Sequence, residues 1–268
     1  MSLRIATNVD AFDAYRNLNA TQAQLSKSMQ RLSSGYRINS GADDAAGLGI
    51  SESMRSQIRG LAQAQKNIQD GVSLVQTAEG NLNQVHSMLQ RVRELAVQYN
   101  NGSISTEGRS AIQTEVNQLA SEIDRVMSQA KFNGIALLTG SSSVTFQVGA
   151  NDGETISVSM GSIASAATSN WSQFSVGSTT MISSIDAAVT AVSAQRSTLG
   201  AVQNRLENSM SVQAAYQENL TAAESRIRDV DMAQEMVNFT KNQILAQAGQ
   251  SMLAQANTAP QQVLQLLR

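Results

Sequence analysis

The chain has 268 residues, a formal net charge of −2, 15% charged residues, no cysteine and one histidine. The lack of cysteine excludes a disulfide framework and thiolate chemistry, and a slightly acidic chain without a basic block argues against nucleic acid as the main partner. The sequence has no run of about 18 apolar residues, and its N-terminus lacks the continuous apolar stretch of a secretory signal peptide. We therefore expect no membrane partner and no secretion by a cleaved signal.

The N-terminal segment carries an amphipathic pattern that predicts a helix over residues 5–32. Its apolar positions include three leucines that lie seven apart: Leu18, Leu25 and Leu32. Two serines and Gly35 follow, and glycine is the residue that most often ends a helix. The glycine-rich residues 40–49 then give no clear helix start. We therefore predict a joint over residues 35–49.

Long stripes of apolar residues at intervals of three, four and seven predict coiled-coil-like helices in both halves of the chain. The first stripe contains Ile50, Met54, Ile58, Leu61, Ile68, Val72, Val75, Leu82, Val85, Leu89 and Val92. A shorter stripe follows with Ile112, Val116, Leu119, Ile123 and Val126, and a third with Ile182, Ile185, Val189, Val192, Leu199, Val202, Leu206 and Met210. We expect the two chain ends to pack side by side. A helix of about 50 residues would extend roughly 75 Å, so the sequence predicts an elongated molecule.

Turn residues divide the middle of the chain. We expect residues 100–103 to end the first long helix and Phe132-Asn133-Gly134 to end the helix after it. Two runs then alternate apolar and polar residues around Asn151-Asp152-Gly153, and this pattern predicts a β-hairpin with apolar positions Val144, Phe146, Val148, Ile156, Val158 and Met160. Residues 141–179, which are rich in small polar residues and include the only tryptophan, are expected to form an exposed segment.

The C-terminal part predicts a last amphipathic helix over residues 232–268, after a second joint at residues 226–231. Pro260, the only proline, is expected near the end of that helix. The predicted fold is mainly α. It is an elongated antiparallel long-helix coiled-coil bundle formed by both chain ends, with a small central segment that contains a β-hairpin.

The sequence offers no positive sign of catalysis. One histidine, His86, cannot supply a choice of triads or a site with two imidazoles, and it lies beside a helical stripe. Asp43 and Asp44 lack the spaced oxygen ligands of a calcium loop, and the glycines around Leu48 have neither a preceding strand nor a phosphate-binding lysine. We therefore expect no enzyme activity, no catalytic or metal-binding residues and no cofactor.

Several motifs resemble one family in the same order along the chain. Residues 32–39 (Leu-Ser-Ser-Gly-Tyr-Arg-Ile-Asn) and 43–48 (Asp-Asp-Ala-Ala-Gly-Leu) closely resemble the N-terminal signature of bacterial flagellins. Residues 239–241, 252–257 and 262–268 resemble the flagellin C-terminus. Between them, residues 89–97, 122–126, 132–134 and 146–150 also match family motifs, so the resemblance covers roughly residues 1–160 and 180–268.

The resemblance implies a structural subunit that polymerises into the helical flagellar filament for swimming motility. It is similar to a minimal flagellin, because residues 141–179 take the place of large outer domains. It implies an inner core from residues 1–34 and 232–268 and a long-helix domain from residues 50–140 and 180–225. The expected core residues are Leu18, Leu25, Leu32, Ile244, Leu245, Met252, Leu253, Leu264 and Leu267.

The resemblance also implies partners. The subunit is expected to be a secreted, extracellular protein that passes through the flagellar type III export apparatus with an export chaperone and meets the filament cap and hook-junction proteins. A host partner, Toll-like receptor 5, is implied for the matching residues Leu89, Gln90, Arg91, Leu95 and Glu115, although Leu119 stands where receptor-activating relatives often have arginine. Axial contacts between subunits are the equal alternative for the same surface.

Two other functions stay open at this point. A hook–filament junction protein resembles flagellin at both ends, and a secreted coiled-coil adaptor would have stable terminal helices without forming a polymer. A short middle segment and the complete C-terminal match favour flagellin.

Overall fold

The structure is a computed structural model that describes residues 8–139, 143–161 and 181–266. Within these ranges the helices are α1 Val9–Ser34, α2 Ala45–Tyr99, α3 Thr106–Gln129, α4 Met181–Arg228 and α5 Met232–Leu266. Two antiparallel hairpins pair β1 Lys131–Phe132 with β2 Ile135–Ala136 and β3 Ser143–Gln147 with β4 Thr155–Ser159. The predicted mainly α fold with a small hairpin region is confirmed. Trp171 and the rest of residues 162–180 lie outside the described residues.

The chain divides into two compact units. One is built from residues 1–56 and 219–268, and the other from residues 57–218. In the first unit, α1 and α5 pack against each other in antiparallel directions, since Asn8 at the start of α1 contacts Ala256 near the end of α5. In the second, α2 and α4 also run antiparallel, because Gln65 contacts Gln217 and Arg93 contacts Asp186.

The 57–218 unit contains the main apolar core. The predicted stripes supply most of its fully buried side chains, together with residues of α3 and of the second hairpin: Ile68, Val75, Leu82, Val85, Leu89, Ile123, Val158, Val192, Leu199 and Leu206. A second cluster contains Val92, Leu95, Ile112, Val116 and Ile185. Ile50, the first member of the longest stripe, is 51% exposed and belongs to the other unit.

Capping groups set the ends of the first two helices. The Asn8 side chain accepts a hydrogen bond from the Ala11 N–H, and Gly35 ends α1 in the left-handed conformation with φ 75°, as the sequence predicts. Helix α2 begins at Ala45, within the segment assigned to the joint. The Asp44 carboxylate accepts the Gly47 N–H at 2.9 Å, and this N-terminal cap offsets the low helix propensity of the glycines.

The first hairpin was not predicted. Residues Phe132-Asn133-Gly134 were expected to end a helix, but α3 ends at Gln129 and these residues form the tight turn between β1 and β2. Asn133 and Gly134 have φ of 46° and 82°, as a two-residue hairpin turn requires. The Asn-Gly pair was the available signal. It was missed because the flanking strands have only two residues each and show no alternation.

The second hairpin has the predicted pairing of apolar positions. Val144 lies opposite Val158 and Phe146 opposite Ile156. Gly153 has φ 84° in the turn. At the C-terminus, α5 continues through Pro260 to Leu266, so the proline does not end the helix.

We predict that Gly134→Ala destabilises the 57–218 unit by about 1 kcal/mol, because alanine is strained at a positive φ. Gly102→Ala is the matched control, since a Cβ at Gly102 meets nothing within 4 Å and its φ is ordinary. Urea unfolding followed by circular dichroism measures both changes. Equal unfolding midpoints for the two variants would contradict the role of the turn.

Candidate assembly surface

Three contacts define how α1 and α5 pair. The Asn8 side chain donates to the Ala256 carbonyl at 2.8 Å, Leu18 lies against Gly249, and Arg31 Nη1 is 3.7 Å from Glu235 Oε2. Residues later in α1 contact residues earlier in α5. The two helices therefore keep one antiparallel register over almost the whole described length of the pair.

The most deeply buried side chains of this pair are polar or small. They are Ser28 on α1 and Glu235, Asn242 and Ala246 on α5. Many large apolar side chains instead face outward, with Phe12 at 67% and Met252 at 64% exposure. Others that are about half exposed or more are Val9, Tyr15, Met29, Met232, Met236, Val237, Ile244 and Leu245. Such a concentration of exposed apolar area is typical of a surface that another molecule covers.

The residues predicted for the polymerisation core fall into three groups. Ile244, Leu245 and Met252 are exposed on the outer surface of α5. Half-buried positions are Leu18, Leu25, Leu32 and Leu253. Leu264 lies within α5 at a position whose side chain is not described, and Leu267 lies outside the described residues.

The predicted core set left out other apolar residues of this surface. Phe12, Tyr15, Met236 and Val237 are all about half exposed or more, yet none belongs to the leucine spacing of α1 or to the predicted core set. Phe12 and Tyr15 line a groove with Ala11 and Leu253 whose volume is about 410 Å³. The sequence did indicate these residues, because each helix has apolar residues on several faces. A search for one apolar stripe per helix leaves out the residues on the other faces.

The two joint segments are held to each other by backbone hydrogen bonds. The Arg37 N–H donates to the Arg228 carbonyl at 2.7 Å, and the Val230 N–H donates to the Gly35 carbonyl at 3.0 Å. The Arg228 guanidinium lies 4.9 Å from the Tyr36 ring centroid and donates to Glu52 at 2.6 Å. This hydrogen bond lowers the pKa of the Glu52 carboxyl. The joint is therefore an ordered contact between both ends of the chain.

Asp43 ties α1 to the segment before α2. Lys27 Nζ lies 2.7 Å from its carboxylate, which also accepts hydrogen bonds from Ser40. The Lys27 contact, followed by the Ser40 N–H, holds the pKa of Asp43 well below its usual range. Asp43 is thus a hydrogen-bond acceptor within the joint.

The predicted receptor or axial-contact residues do not all share one surface. Arg91 donates through Nε and Nη2 to Glu115 Oε1 at 3.1 and 2.9 Å and through Nη1 to Glu94, and these groups are exposed. The Glu115 hydrogen bond raises the pKa of Arg91. Leu89 and Leu95 are 0% and 2% exposed, so in this conformation their side chains contact the core. Gln90 is exposed beside His86, with 3.0 Å between their Nε2 atoms.

The described residues provide neither a metal site nor a membrane-spanning helix. Over residues 8–139, 143–161 and 181–266, no three His, Cys, Asp or Glu side chains are grouped so that they can hold a metal ion. In the same ranges no helix combines the length and apolarity that a membrane span needs.

A chain whose terminal helices pair and leave large apolar side chains exposed belongs to the class of helical proteins that bury this surface by assembly. Comparison with known families makes this class specific. The bacterial flagellin N-terminal helical region matches residues 5–143, and the bacterial flagellin C-terminal helical region matches residues 182–267. The chain belongs to the bacterial flagellin family and is a structural subunit of the extracellular flagellar filament.

Relatives of similar length support this assignment. The chain is 51% identical to a flagellin of Halalkalibacterium halodurans, over 97% of this chain and 98% of the relative. It is 46% identical to a flagellin of Bacillus subtilis, over 99% and 100% of the two chains. The flagellar filament 33 kDa core protein of Treponema phagedenis is 47% identical, over 97% and 98%. Flagellins are structural proteins, which is consistent with the expectation that the chain is not an enzyme.

Solved structures give the same fold. The crystal structure of Bacillus cereus flagellin matches with a TM-score of 0.51 and 27% identity, over 55% of this chain and 88% of that chain. A putative flagellar hook-associated protein from Vibrio parahaemolyticus matches with a TM-score of 0.54, over 70% of this chain and 100% of that chain. Its identity is 17%, so it shows the fold alone and does not favour a hook–filament junction protein.

We predict that Leu89→Ala destabilises the 57–218 unit by about 2–5 kcal/mol, because it leaves a cavity at a fully buried position. Its neighbour Gln90, which is exposed, provides the matched control, and Gln90→Ala is expected to change stability by less than about 0.5 kcal/mol. Thermal and urea unfolding measure both. A Leu89→Ala protein as stable as the control would show that this position is not part of the core.

Proposed function

We propose that the α1 and α5 pair forms the inner wall of the filament, and that neighbouring copies of the chain cover its exposed apolar residues. The observation that supports this most directly is the outward position of Phe12, Ile244 and Met252 around a polar interior. Burial of apolar side chains is worth about 1.5–3 kcal/mol each, so a polymer that covers them gains stability that the free chain lacks. A head-to-tail contact that does not close produces a helical filament.

The proposed layers follow the chain. Residues 1–34 and 232–268 form the inner core and residues 50–140 and 180–225 the long-helix layer. Residues 35–49 and 226–231 join them, and residues 141–179 are outermost. The backbone pairing of Arg37 with Arg228 and of Gly35 with Val230 supports the assignment of the joints. The self-contained apolar core around Leu82 supports a long-helix layer that folds without neighbours.

We also propose the flagellar type III export apparatus as the secretion route, with an export chaperone that binds the chain before assembly. The filament cap and the hook-junction proteins are the proposed partners at the two ends of the polymer. Membership of the flagellin family supports these partners. The exposed apolar residues of α5, such as Val237 and Ile244, give a chaperone a reason to bind, because they would otherwise face water.

Replacing Val237 and Ile244 by serine should raise the critical concentration for polymerisation by roughly tenfold or more, because each loses apolar area that the polymer buries. Gln247→Ser, at an exposed polar position of the same helix, should leave it unchanged. Sedimentation of seeded polymers, with electron microscopy of the pellet, measures the effect. Deletion of residues 232–268 should abolish filaments altogether. Normal filament growth by either variant would contradict the inner-wall assignment.

A second proposal concerns the surface formed by Gln90, Arg91 and Glu115, which we propose binds Toll-like receptor 5 in the free subunit or makes axial contacts in the filament. The exposed hydrogen bonds from Arg91 Nε and Nη2 to Glu115 Oε1 support it, because two donors on one acceptor hold the guanidinium at the surface in a fixed orientation. Arginine is a frequent anchor of interfaces. Leu89 and Leu95 support this surface from the core beneath it.

Arg91→Ala should lower receptor activation by the monomer roughly tenfold, because it removes a central charged anchor. Arg125→Ala is the matched control, since Arg125 is an exposed arginine on α3 that pairs with Glu122. Receptor-dependent reporter cells measure activation, and filament yield measures the axial alternative. If Arg91→Ala signals as the wild type does, the receptor assignment is wrong, and a loss of filaments alone would leave the axial role.

A further inference from the structure

An open polar groove lies between α1 and α5. Its volume is about 230 Å³, and its lining includes Lys27, Ser28, Arg31, Glu235, Lys241 and Asn242. Ser28, Glu235 and Asn242 are 5%, 6% and 8% exposed, so three polar side chains are more than nine-tenths buried in a helix interface. Half-buried leucines such as Leu18 and Leu25 provide apolar packing in the same pair, and a buried carboxylate such as Glu235 adds little net stability to it.

The contact between Arg31 and Glu235 is not optimised for strength. Arg31 Nη1 lies 3.7 Å from Glu235 Oε2, beyond hydrogen-bond distance, and Arg31 Nε is buried without a partner among the described residues. Such a pair contributes little net stability relative to apolar packing. Removing Arg31 is nonetheless costly, because the Glu235 side chain is only 8% exposed and loses its paired guanidinium. This asymmetry is how single buried polar residues fix the register of coiled coils.

A second fixed point lies closer to the start of α1. Gly249 has no side chain, and a Cβ there would lie 3.3 Å from Leu18 Cδ1. Sliding α5 by one heptad would place residue 242 or residue 256 near Leu18 and would move Glu235 away from Arg31. The first change removes the close fit at Gly249, and the second separates the buried Glu235 carboxylate from the Arg31 guanidinium.

We propose that Arg31 and Glu235 are positioning residues that specify the register of α1 on α5 during filament assembly. The proposal rests on the placement of this helix pair in the filament core. Hydrophobic burial by the outer residues is non-directional, so it stabilises several registers alike. Arg31 and Glu235 disfavour the wrong registers, because each of these registers separates the buried Glu235 carboxylate from its guanidinium partner.

The register can be read with an engineered disulfide, because the chain has no cysteine of its own. A Cβ at Gly249 would lie 3.8 Å from Leu18 Cβ, which matches the usual Cβ separation of about 3.8 Å in disulfides. Leu18→Cys with Gly249→Cys therefore forms the reporter background. Full-length reporter chains are oxidised under polymerising conditions, and the crosslinked fraction is read by mobility on non-reducing gels. Filament yield is measured in parallel.

Arg31→Glu and Glu235→Arg are each expected to lower the crosslinked fraction by about tenfold, because each buries two like charges. The double variant should restore at least about half of the reporter value, since it rebuilds the opposite-charge pair. Arg16→Glu is the matched control. Arg16 lies on α1 with a side chain that is 78% exposed, and its charge reversal should leave crosslinking unchanged.

Rescue by the double variant is the result that supports the proposal, because a purely space-filling role would not respond to exchanged charges. Single variants that crosslink like the reporter overturn it, and so do single variants that lose crosslinking without rescue. Filament yield tests the core placement separately. Chains that polymerise normally while their crosslinking follows the charge pattern would keep the register assignment and refute the placement of the pair in the filament core.

Discussion

The unit of residues 1–56 and 219–268 depends on an unusual distribution of side chains in its helix pair: several polar side chains are buried and many large apolar ones are exposed. Two helices in contact share one buried face, and the most deeply buried side chains on that face of α1 and α5 include the polar residues Ser28, Glu235 and Asn242. Many large apolar side chains, such as Phe12 and Met252, stay in contact with water unless other molecules cover them. A pair of this kind gains little from folding alone and much from assembly. The geometry of the pair therefore agrees with membership of a family whose members assemble into filaments.

The 57–218 unit follows the opposite rule. Its stripes meet inside one core, where Leu82, Leu89 and Ile123 are almost fully buried, and its exposed ion pairs lie on the outside. Exposed pairs contribute less than about 1 kcal/mol, so this unit depends on apolar packing for stability. Charged residues on its surface can therefore serve partner binding, as proposed for Arg91 and Glu115, because the fold does not depend on them.

Sequence periodicity predicted most of the fold, because long stripes leave few ways to bury their apolar residues. The hairpin at residues 143–159 was predicted for the same reason, since alternation and turn residues agree there. The first hairpin and the start of α2 each depend on one or two turn or capping residues. A search for periodic apolar patterns gives such single residues little weight. For the site, Ile244 and Met252 were predicted, but Phe12 and Tyr15 were not. A stripe analysis assumes one buried face per helix, and α1 and α5 do not obey that assumption.

The polar interior and the apolar exterior of the terminal pair have complementary physical effects. An apolar surface supplies free energy to a polymer but discriminates poorly between alternative packings, because its gain scales with area. A buried charge pair supplies little free energy but penalises every packing that separates it. A filament subunit needs both effects, since thousands of copies repeat the same contact and a register error in one helix pair would be passed to its neighbours. In the proposed assembly, the exposed apolar residues of the helix pair supply the first effect, and Arg31 and Glu235, near the end of α1 and the start of α5, supply the second.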